Sequence, residues 1–212
     1  NLEILLGSCG GWLSFVQGKW QLSLPVYSNP VMHLDASDLA GDIKFQSHSN
    51  KKSQINVTTG SYLNPSHDYE RKTIPAMVVQ HYIDADGERL EQVFDYEMVP
   101  FQAQVQRLNK IKMELSRYGI MLSARFKFKA MKVSVGARIT LSIPDFGWVS
   151  KIFRVMSVEI DFGRGVHLTL KEDAAEVYDW LINDEIEIDV PVALEFPDHG
   201  VLSNPVSVTV KE

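Results

Sequence analysis

A cysteine flanked by glycines and a serine is the first group whose residue types could do chemistry. Gly7-Ser8-Cys9-Gly10-Gly11 matches the small-residue frame of a nucleophile elbow, in which a strand leads into a sharp turn and a helix follows. The preceding residues, Leu2-Glu3-Ile4-Leu5-Leu6, continue an apolar helical pattern, and no strand is predicted there. We therefore interpret these small residues as the closely packed end of a helix.

One acidic cluster is similar to part of a calcium loop. Asp84, Asp86 and Glu88 surround Gly87. A calcium loop of the helix-loop-helix type closes with a bidentate glutamate at its twelfth position. Counted from Asp84, that position is Asp95, and the residues before it read as a strand. The cluster is therefore predicted to be a hairpin turn.

The histidines show none of the short spacings of a metal site. His67-Asp68 with a distant serine resembles a triad fragment, but such pairs occur by chance in polar loops. His167 alternates with Val166 and Leu168, which places it on the outer face of a strand. The six histidines are His33, His48, His67, His81, His167 and His199. We predict no catalytic, cofactor-binding or metal-binding residue and no cofactor, so we expect that the chain is not an enzyme.

Two further features suggest sites of modification or binding. Asn56-Val57-Thr58 is a glycosylation sequon only in a eukaryotic secretory setting, which nothing else in the sequence supports. Trp148 lies at a predicted turn between strands, where it is either an exposed binding anchor or the cap of a barrel end. No glycine-rich phosphate loop is present in the sequence.

Composition narrows the class of protein. The 212 residues are 45% hydrophobic and 23% charged, which is typical of globular chains with one large or two small domains. The net charge of −6 argues against general nucleic-acid binding, although Arg125, Lys127 and Lys129 make one strand locally basic. Cys9 is the single cysteine, so no intrachain disulfide forms. No apolar run approaches the roughly 20 residues that cross a bilayer.

The best-defined elements lie between Pro100 and Trp180. Pro100 and Gly119 bound a predicted helix with an apolar stripe through Phe101, Val105, Leu108, Ile111, Leu115 and Tyr118. The apolar period then changes to two, with Leu122, Ala124, Phe126 and Phe128 on one face of a strand. Further predicted elements are strands at Arg138–Ile143, Ile152–Ile160 and Val166–Leu170 and a short helix at Ala174–Leu181. The pattern favours a curled four-stranded sheet or small barrel with the long helix covering one end or face.

The N-terminal part reads as a second β-rich region. It begins with a helix over Leu2–Leu13 and a tight turn at Gly18-Lys19. Asp35-Ala-Ser-Asp38 is predicted to cap one short helical turn, and Gly60–Arg71 is predicted to be a long loop. The predicted strands are Trp12–Val16, Trp20–Leu24, Ile43–Phe45, Gln54–Thr58, Val78–Ile83 and Arg89–Tyr96, the last two around a turn at Asp84–Gly87.

An ordered set of segments resembles phage tail tip attachment proteins of the lambda J type. Val-Pro-Phe-Gln-Ala-Gln-Val-Gln-Arg-Leu-Asn-Lys-Ile at 99–111 is similar to the helix start in that family. The resemblance continues, in the same order and with similar spacing, through Val133–Leu141, Phe146-Gly-Trp148, Phe153-Arg-Val155, Leu168–Glu172 and Tyr178-Asp-Trp180. No single segment is a catalytic signature, so the resemblance is specific because all the segments occur together in the same order.

The resemblance implies a fold and a division of the chain. We expect an α+β, predominantly β fold with two β-rich lobes, each with a packed helix, of the phage tail hub type. Residues 1–96 would form the N-terminal lobe, and residues 97–181 would form the lobe with the helix and the barrel-like meander. Residues 182–212 would form an acidic connector toward fibronectin-type modules.

The resemblance also implies a function in the virion. The chain would belong to a phage or prophage tail tip, or baseplate hub, that closes the tail tube and serves host attachment and DNA delivery. Its partners would be copies of itself in a trimer, tail tube and tail tip proteins and the tape measure protein, with the host receptor contacted through other parts of the protein. The alternative function is an envelope-acting module, either a peptidoglycan hydrolase or a carbohydrate-binding domain.

Overall fold

Strands make up most of the ordered elements of the chain. A computed structural model describes residues 1–16, 18–47, 51–65, 68–181 and 184–186. Its helices are α1 (Leu2–Cys9), α2 (Gln80–Asp86) and α3 (Gln102–Arg117). Its strands are β1 (Trp12–Val16), β2 (Lys19–Ser23), β3 (Met32–Asp35), β4 (Leu39–Gln46), β5 (Val57–Asn64), β6 (Glu70–Val78), β7 (Glu91–Asp95), β8 (Met121–Phe126), β9 (Arg138–Ile143), β10 (Trp148–Asp161) and β11 (Gly165–Glu172).

A six-stranded sheet with the order β3-β9-β10-β11-β8-β4 forms the larger layer. Its neighbours are antiparallel except for β3 and β9, which are parallel. The two edge strands, β3 and β4, are consecutive in the chain and are joined by a 3-10 turn at Ala36–Asp38. Because three residues span at most about 10 Å, the two edges must lie close together. The sheet therefore curls into a nearly closed barrel, which confirms the predicted α+β, predominantly β fold.

The turn that joins the two edges is capped as the sequence predicts. The Asp35 side chain accepts a hydrogen bond of 2.7 Å from the Ser37 backbone N–H. The Asp35 backbone N–H in turn donates to Asp38 Oδ2 at 3.1 Å, and Lys129 Nζ contacts the same oxygen at 2.6 Å. These bonds hold the connection between β3 and β4 at the barrel rim.

The barrel interior is filled by alternating residues of its strands. Leu122, Ala124 and Phe126 of β8 point inward, as predicted. Phe128 was predicted to join them, but this prediction is wrong, because β8 ends at Phe126 and a 3-10 turn begins at Phe128. The buried core of the barrel is Leu34, Leu122, Ala124, Phe126, Ala130, Val133, Ile139, Leu141, Ile143, Phe153, Val155, Val166, Leu168 and Leu170.

A separate three-stranded sheet has β5 in its centre, antiparallel to β6 and parallel to β7. The predicted loop at Gly60–Arg71 is wrong, because much of it belongs to β5 and β6. The strand predicted at Val78–Ile83 is also wrong, since β6 ends there and α2 follows. Gly87, with φ of 73°, ends α2 where a hairpin turn was predicted. A helical crossover of this kind is what a parallel β5–β7 pair requires.

Helix α3 joins the two sheets. Val105 and Leu108 pack with Tyr62, Ile74 and Tyr96 over the three-stranded sheet. On another side, Ile111 packs with Ala174, Val177 and Tyr178, which follow the last barrel strand. The prediction that α3 covers one end or face of the barrel is therefore wrong, because most of its buried face lies on the three-stranded sheet. The helix predicted at Ala174–Leu181 is only a 3-10 turn at Glu176–Tyr178.

The barrel is assembled from both halves of the sequence. Strands β3 and β4 precede residue 96, the predicted boundary between two lobes, and β8 to β11 follow it. At the C-terminal end, Ile186 accepts hydrogen bonds on its backbone oxygen from Gln102 at 2.6 Å and Gln106 at 2.8 Å. Most of the predicted acidic connector at 182–212 lies outside the described residues.

Candidate functional site

The cysteine motif lies at a helix end. Helix α1 ends at Cys9, and Gly10 adopts the left-handed conformation with φ of 62°. A Cβ atom at Gly10 would lie 2.6 Å from a methyl carbon of Leu108 in α3. The small residues therefore let the end of α1 pack closely on α3, as predicted, and a helix stands where a nucleophile elbow would need a strand.

The acidic cluster at 84–88 is divided among separate partners. Asp84 accepts a hydrogen bond of 2.8 Å from Gln80 within α2, and Glu88 pairs with Lys51 at 3.1 Å. The Asp86 carboxylate is held by two nitrogens of Arg117, at 2.8 Å and 2.6 Å, and by the Asn56 amide at 2.9 Å. Asp86 thus anchors α2 to α3 and does not face a shared cation position with the other two carboxylates.

The Asp86 and Arg117 pair should make the stability of the chain depend on acid pH. Hydrogen bonds from Arg117 lower the pKa of Asp86 to about 2, although desolvation acts in the opposite direction. The pKa of an unfolded aspartate is near 3.9. Stabilisation by this pair is therefore fully present above about pH 4 and is lost as pH falls through about 2.

We expect Asp86→Asn to lower the free energy of unfolding by about 1–2 kcal/mol at pH 7, since the pair borders solvent. The difference between wild type and D86N should shrink between pH 4 and pH 2 in urea unfolding experiments. Asp84→Asn is the matched control, because the Asp84 carboxylate bonds to Gln80 of its own helix, in which no residue is buried. A difference between wild type and D86N that stays constant down to pH 2 would contradict this assignment.

The described histidines have separate local partners. His33 Nδ1 lies 2.9 Å from Thr140 Oγ1, and the His81 and Tyr82 ring centres lie 4.2 Å apart with the two rings tilted. His167 Nε2 lies 3.0 Å from Ser123 Oγ on the outer side of the barrel. His48, His67 and His199 lie outside the described residues, so the His67-Asp68 pairing cannot be placed. Within the described ranges, no group of three or more His, Cys, Asp or Glu side chains could hold a metal ion.

The sequon asparagine is part of the interior. Asn56 is fully buried, and its amide donates to Asp86 Oδ2 and to the backbone oxygen of Glu88. Its side-chain oxygen accepts a hydrogen bond of 2.7 Å from the Leu90 backbone N–H. A glycan on the Asn56 amide nitrogen would replace one of these N–H donors at a fully buried position. Among the helices described, none is long and apolar enough to cross a membrane.

Trp148 belongs to an aromatic cluster that spans the barrel end. Its ring lies 5.0 Å from Phe146, 5.3 Å from Phe153 and 5.8 Å from Phe45. Phe45 lies on β4, the far edge of the sheet from β9 and β10. The cluster therefore bridges the curled sheet across its opening. Trp148 therefore caps the end of the barrel, in agreement with one of its two interpretations from the sequence, and is not an isolated exposed anchor.

A buried charged cluster, which sequence reasoning missed, lies on the outer face of β9 and β10. The Arg138 and Asp173 side chains are 2% and 0% exposed, and Arg138 Nε donates to Asp173 Oδ2 at 2.8 Å. Tyr178 Oη donates to Asp173 Oδ1 at 2.9 Å. Arg154, directly opposite Arg138 in the neighbouring strand, is also buried. Arg154 Nη1 donates to the Tyr178 hydroxyl at 3.4 Å, so Tyr178 lies between this second cation and the Asp173 carboxylate.

The same cluster attaches the N-terminal segment to the barrel. Arg138 Nη1 donates to the Val26 backbone oxygen at 3.1 Å and to Ser28 Oγ at 3.0 Å. The Arg154 guanidinium lies 4.6 Å from the centre of the Trp12 ring. Burial, and then the charge of Arg154, lowers the pKa of Lys171, the next residue in this cationic row. Because Arg138 and Asp173 are inaccessible, the cluster serves attachment of chain segments and not substrate binding.

The β1–β2 hairpin has an unusual orientation. Leu13 pairs with Leu22 and Phe15 pairs with Trp20, so these four residues share one face, here called the hairpin face. Phe15, Trp20 and Leu22 are 61%, 69% and 54% exposed. The opposite face carries Ser14, which is buried. The apolar face of the hairpin therefore points to solvent while its more polar face packs on the barrel.

An apolar groove opens at the start of α3. Its volume is about 400 Å³. Tyr69, Met98 and Phe101 are exposed along it, and Glu97 supplies a carboxylate. The groove is lined by Leu63, Pro65, Tyr69, Glu97, Met98, Val99, Pro100 and Phe101, and we call it the α3 groove. The α3 groove and the hairpin face are thus two places where large apolar side chains are exposed close together.

Comparison with solved structures finds a chain of similar fold in the virion of a native gene transfer agent particle. The TM-score is 0.66 at 15% sequence identity, and the match covers 84% of this chain and 39% of that chain. Prophage tail protein gp18 from Listeria monocytogenes matches at a TM-score of 0.45 and 10% identity, over 81% of this chain and 51% of that one, which is too weak to support a conclusion. This chain thus spans about two fifths of the length of the first protein. No protein-family model matches the sequence, and no curated protein does.

Proposed function

We propose that this chain is a structural component of a phage or prophage tail, located in the tail tip hub. There it would close the tail tube and link it to host-attachment domains, serving virion attachment and DNA delivery. The observation that carries the proposal is the curled barrel with its attached three-stranded sheet, a fold similar to that of a chain in a gene transfer agent virion over 84% of this chain. At 15% identity the likeness supports the fold, and the role in a tail is our inference from it.

Physical features of the surface favour assembly into a ring. The hairpin face and the α3 groove both expose aromatic and aliphatic side chains. Exposed apolar surface of this kind is typical of interfaces between proteins. We propose a trimer, whose further partners are tail tube proteins, other tail tip proteins and the tape measure protein. The host receptor would be contacted through parts of the protein beyond these residues.

The charged groups also favour a structural role. The most buried ion pairs of the described residues, Arg138 with Asp173 and Arg117 with Asp86, join segments of the fold. The net charge of −6 suits the wall of a passage for DNA, because like charges keep the nucleic acid from binding. We therefore propose no catalytic activity for this chain.

Immunogold electron microscopy of purified particles tests the proposed location. An antiserum raised against this chain should label the distal end of the tail, at one position per particle. Particles from a producer strain that lacks the gene are the control for the antiserum. Label on the capsid or along the tube would contradict the proposal. Release of sugar or peptide from purified cell walls by the chain would instead support the envelope-acting alternative.

A further inference from the structure

We propose that a small dianionic oxyanion, of which inorganic phosphate is the simplest, binds between Arg154 and Lys171 on the outer face of the barrel. The bound anion neutralises a row of cations on which the Trp12 ring of the β1–β2 hairpin rests. The inference goes beyond the proposed function, because it depends on the charges of this one chain and not on its place in a virion.

Strand register brings the cations together. Arg154 of β10 lies directly opposite Arg138 of β9 on one side and directly opposite Lys171 of β11 on the other. Residues opposite each other in antiparallel strands share a face, and their Cβ atoms lie about 5 Å apart. Like charges in this arrangement repel and destabilise the sheet. Three cations on three adjacent strands therefore call for negative charge beside them.

The carboxylate of the cluster is committed to one end of this row. Asp173 accepts hydrogen bonds from Arg138 Nε at 2.8 Å, from Tyr178 Oη at 2.9 Å and from the Ala174 backbone N–H at 3.0 Å. In the part of the chain that the structure describes, neither Arg154 nor Lys171 forms an ion pair. Three cations and one carboxylate leave a surplus of two positive charges.

Arg154 itself lacks partners for its buried charge. It is 8% exposed, and its Nε is buried without a hydrogen-bond partner among the described residues. Its bond from Nη1 to the Tyr178 hydroxyl is long, at 3.4 Å, and the Trp12 ring centre lies 4.6 Å from its guanidinium. A cation–π contact returns less free energy than the burial of an unpaired cation costs. An anion at Arg154 would remove this deficit.

A dianion fits the charge and the access of this position. Phosphate groups carry a charge of about −1.5 to −2 near pH 7 and offer several acceptor oxygens, which matches the surplus. Lys171 is half-buried, and Met121, its neighbour on β8, is 43% exposed, so the row is open at the Lys171 end. A small free oxyanion can enter there, whereas a phosphate carried on a polymer or a membrane is too bulky to reach Arg154.

Isothermal titration of the full 212-residue chain with inorganic phosphate, at pH 7 and constant ionic strength, tests the site. We expect one phosphate per chain. Lys171→Met should raise the dissociation constant about 10-fold, because one of two charged contacts is lost. Lys44→Met is the matched control, since Lys44 is an exposed lysine on the same face two strands away, and it should bind phosphate like the wild type. Acetate, which carries a single charge, should bind about 10-fold more weakly than phosphate.

A second measurement reads the site in the wild type. Burial and the charge of Arg154 lower the pKa of Lys171. Bound phosphate should raise this pKa, which NMR of ¹³Cε-labelled lysine follows residue by residue, and should leave the Lys44 signal unchanged. This result does not depend on the folding of any variant.

Three results would overturn the proposal. The first is that phosphate gives no heat of binding and no change at Lys171. The second is that K171M and K44M bind phosphate equally well, which would show an adventitious ion only. The third is that a DNA oligonucleotide or phosphatidylglycerol vesicles bind through Lys171 more tightly than free phosphate does. Labelling at the tail end is independent of all three results, so the two proposals fail separately.

Discussion

Replacing Asp173 by asparagine is expected to lower the free energy of unfolding by about 3–5 kcal/mol, the usual cost of removing one partner from a buried ion pair. The Asp173 carboxylate accepts hydrogen bonds from Arg138 Nε at 2.8 Å and from Tyr178 Oη at 2.9 Å. Asparagine keeps the shape but removes the charge, which leaves the buried guanidinium group of Arg138 without the carboxylate that pairs with it. Equilibrium unfolding in urea at pH 7 measures the loss.

An exposed ion pair provides the control for this experiment. Glu70 accepts a contact of 3.4 Å from Lys72 on the surface, so Glu70→Gln should change stability by less than about 1 kcal/mol. Replacing both Arg138 and Asp173 by leucine should recover part of the loss, since no buried charge of this pair then remains unpaired. If D173N costs no more than E70Q, the cluster does not hold the N-terminal segment on the barrel in the way described.

Replacing Phe126 by alanine is expected to cost about 3–5 kcal/mol, because it opens a cavity in the barrel core. Phe126 is 0% exposed and packs among the inward residues of the neighbouring strands. Phe128, only two residues further along the chain, is 48% exposed. Phe128→Ala should therefore cost less than about 1 kcal/mol. Urea unfolding of both variants under the same conditions measures the difference.

Equal losses for the two phenylalanine variants would show that Phe128 is also buried and that β8 continues past Phe126. The comparison is informative because the alternating pattern of the sequence treats the two residues alike. Only the start of the 3-10 turn at Phe128 separates them, and this turn leads into Ala130, which is buried in the barrel core. A local pattern cannot indicate where a strand leaves its sheet.

Residues close together in the sequence were sufficient to predict several elements correctly. Pro100 and Gly119 bracket α3 correctly, and the strand predicted at Arg138–Ile143 is confirmed as β9. The tight connection between β1 and β2 at Gly18 is confirmed, although Lys19 already belongs to β2, and the cap by Asp35 is also confirmed. Each of these depends on residues within a few positions of one another, so turn preference, capping and periodicity decide the outcome.

The three-stranded sheet shows why other elements were missed. Strand β5 lies between β6 and β7 with α3 above it, so its residues are buried without a clear alternation. Gly60, which favours a loop in the sequence, is needed there because a Cβ would lie 3.4 Å from Val105 of α3 and closer still to the backbone of Phe94. A glycine selected by close packing has the same local appearance as a glycine selected by a turn.

The sequence by itself determined the predominantly β class, the helix α3, most barrel strands and the resemblance to tail tip proteins, because these depend on local periodicity and on the order of segments. Only the tertiary structure decided that β3 pairs with β9, that Arg138 meets Asp173 and that the apolar face of the β1–β2 hairpin points to solvent. The physical reason is that pairing and burial between distant segments depend on the free energy of the whole chain. Alternation shows that a strand has two faces, and the surrounding fold decides which of them is covered.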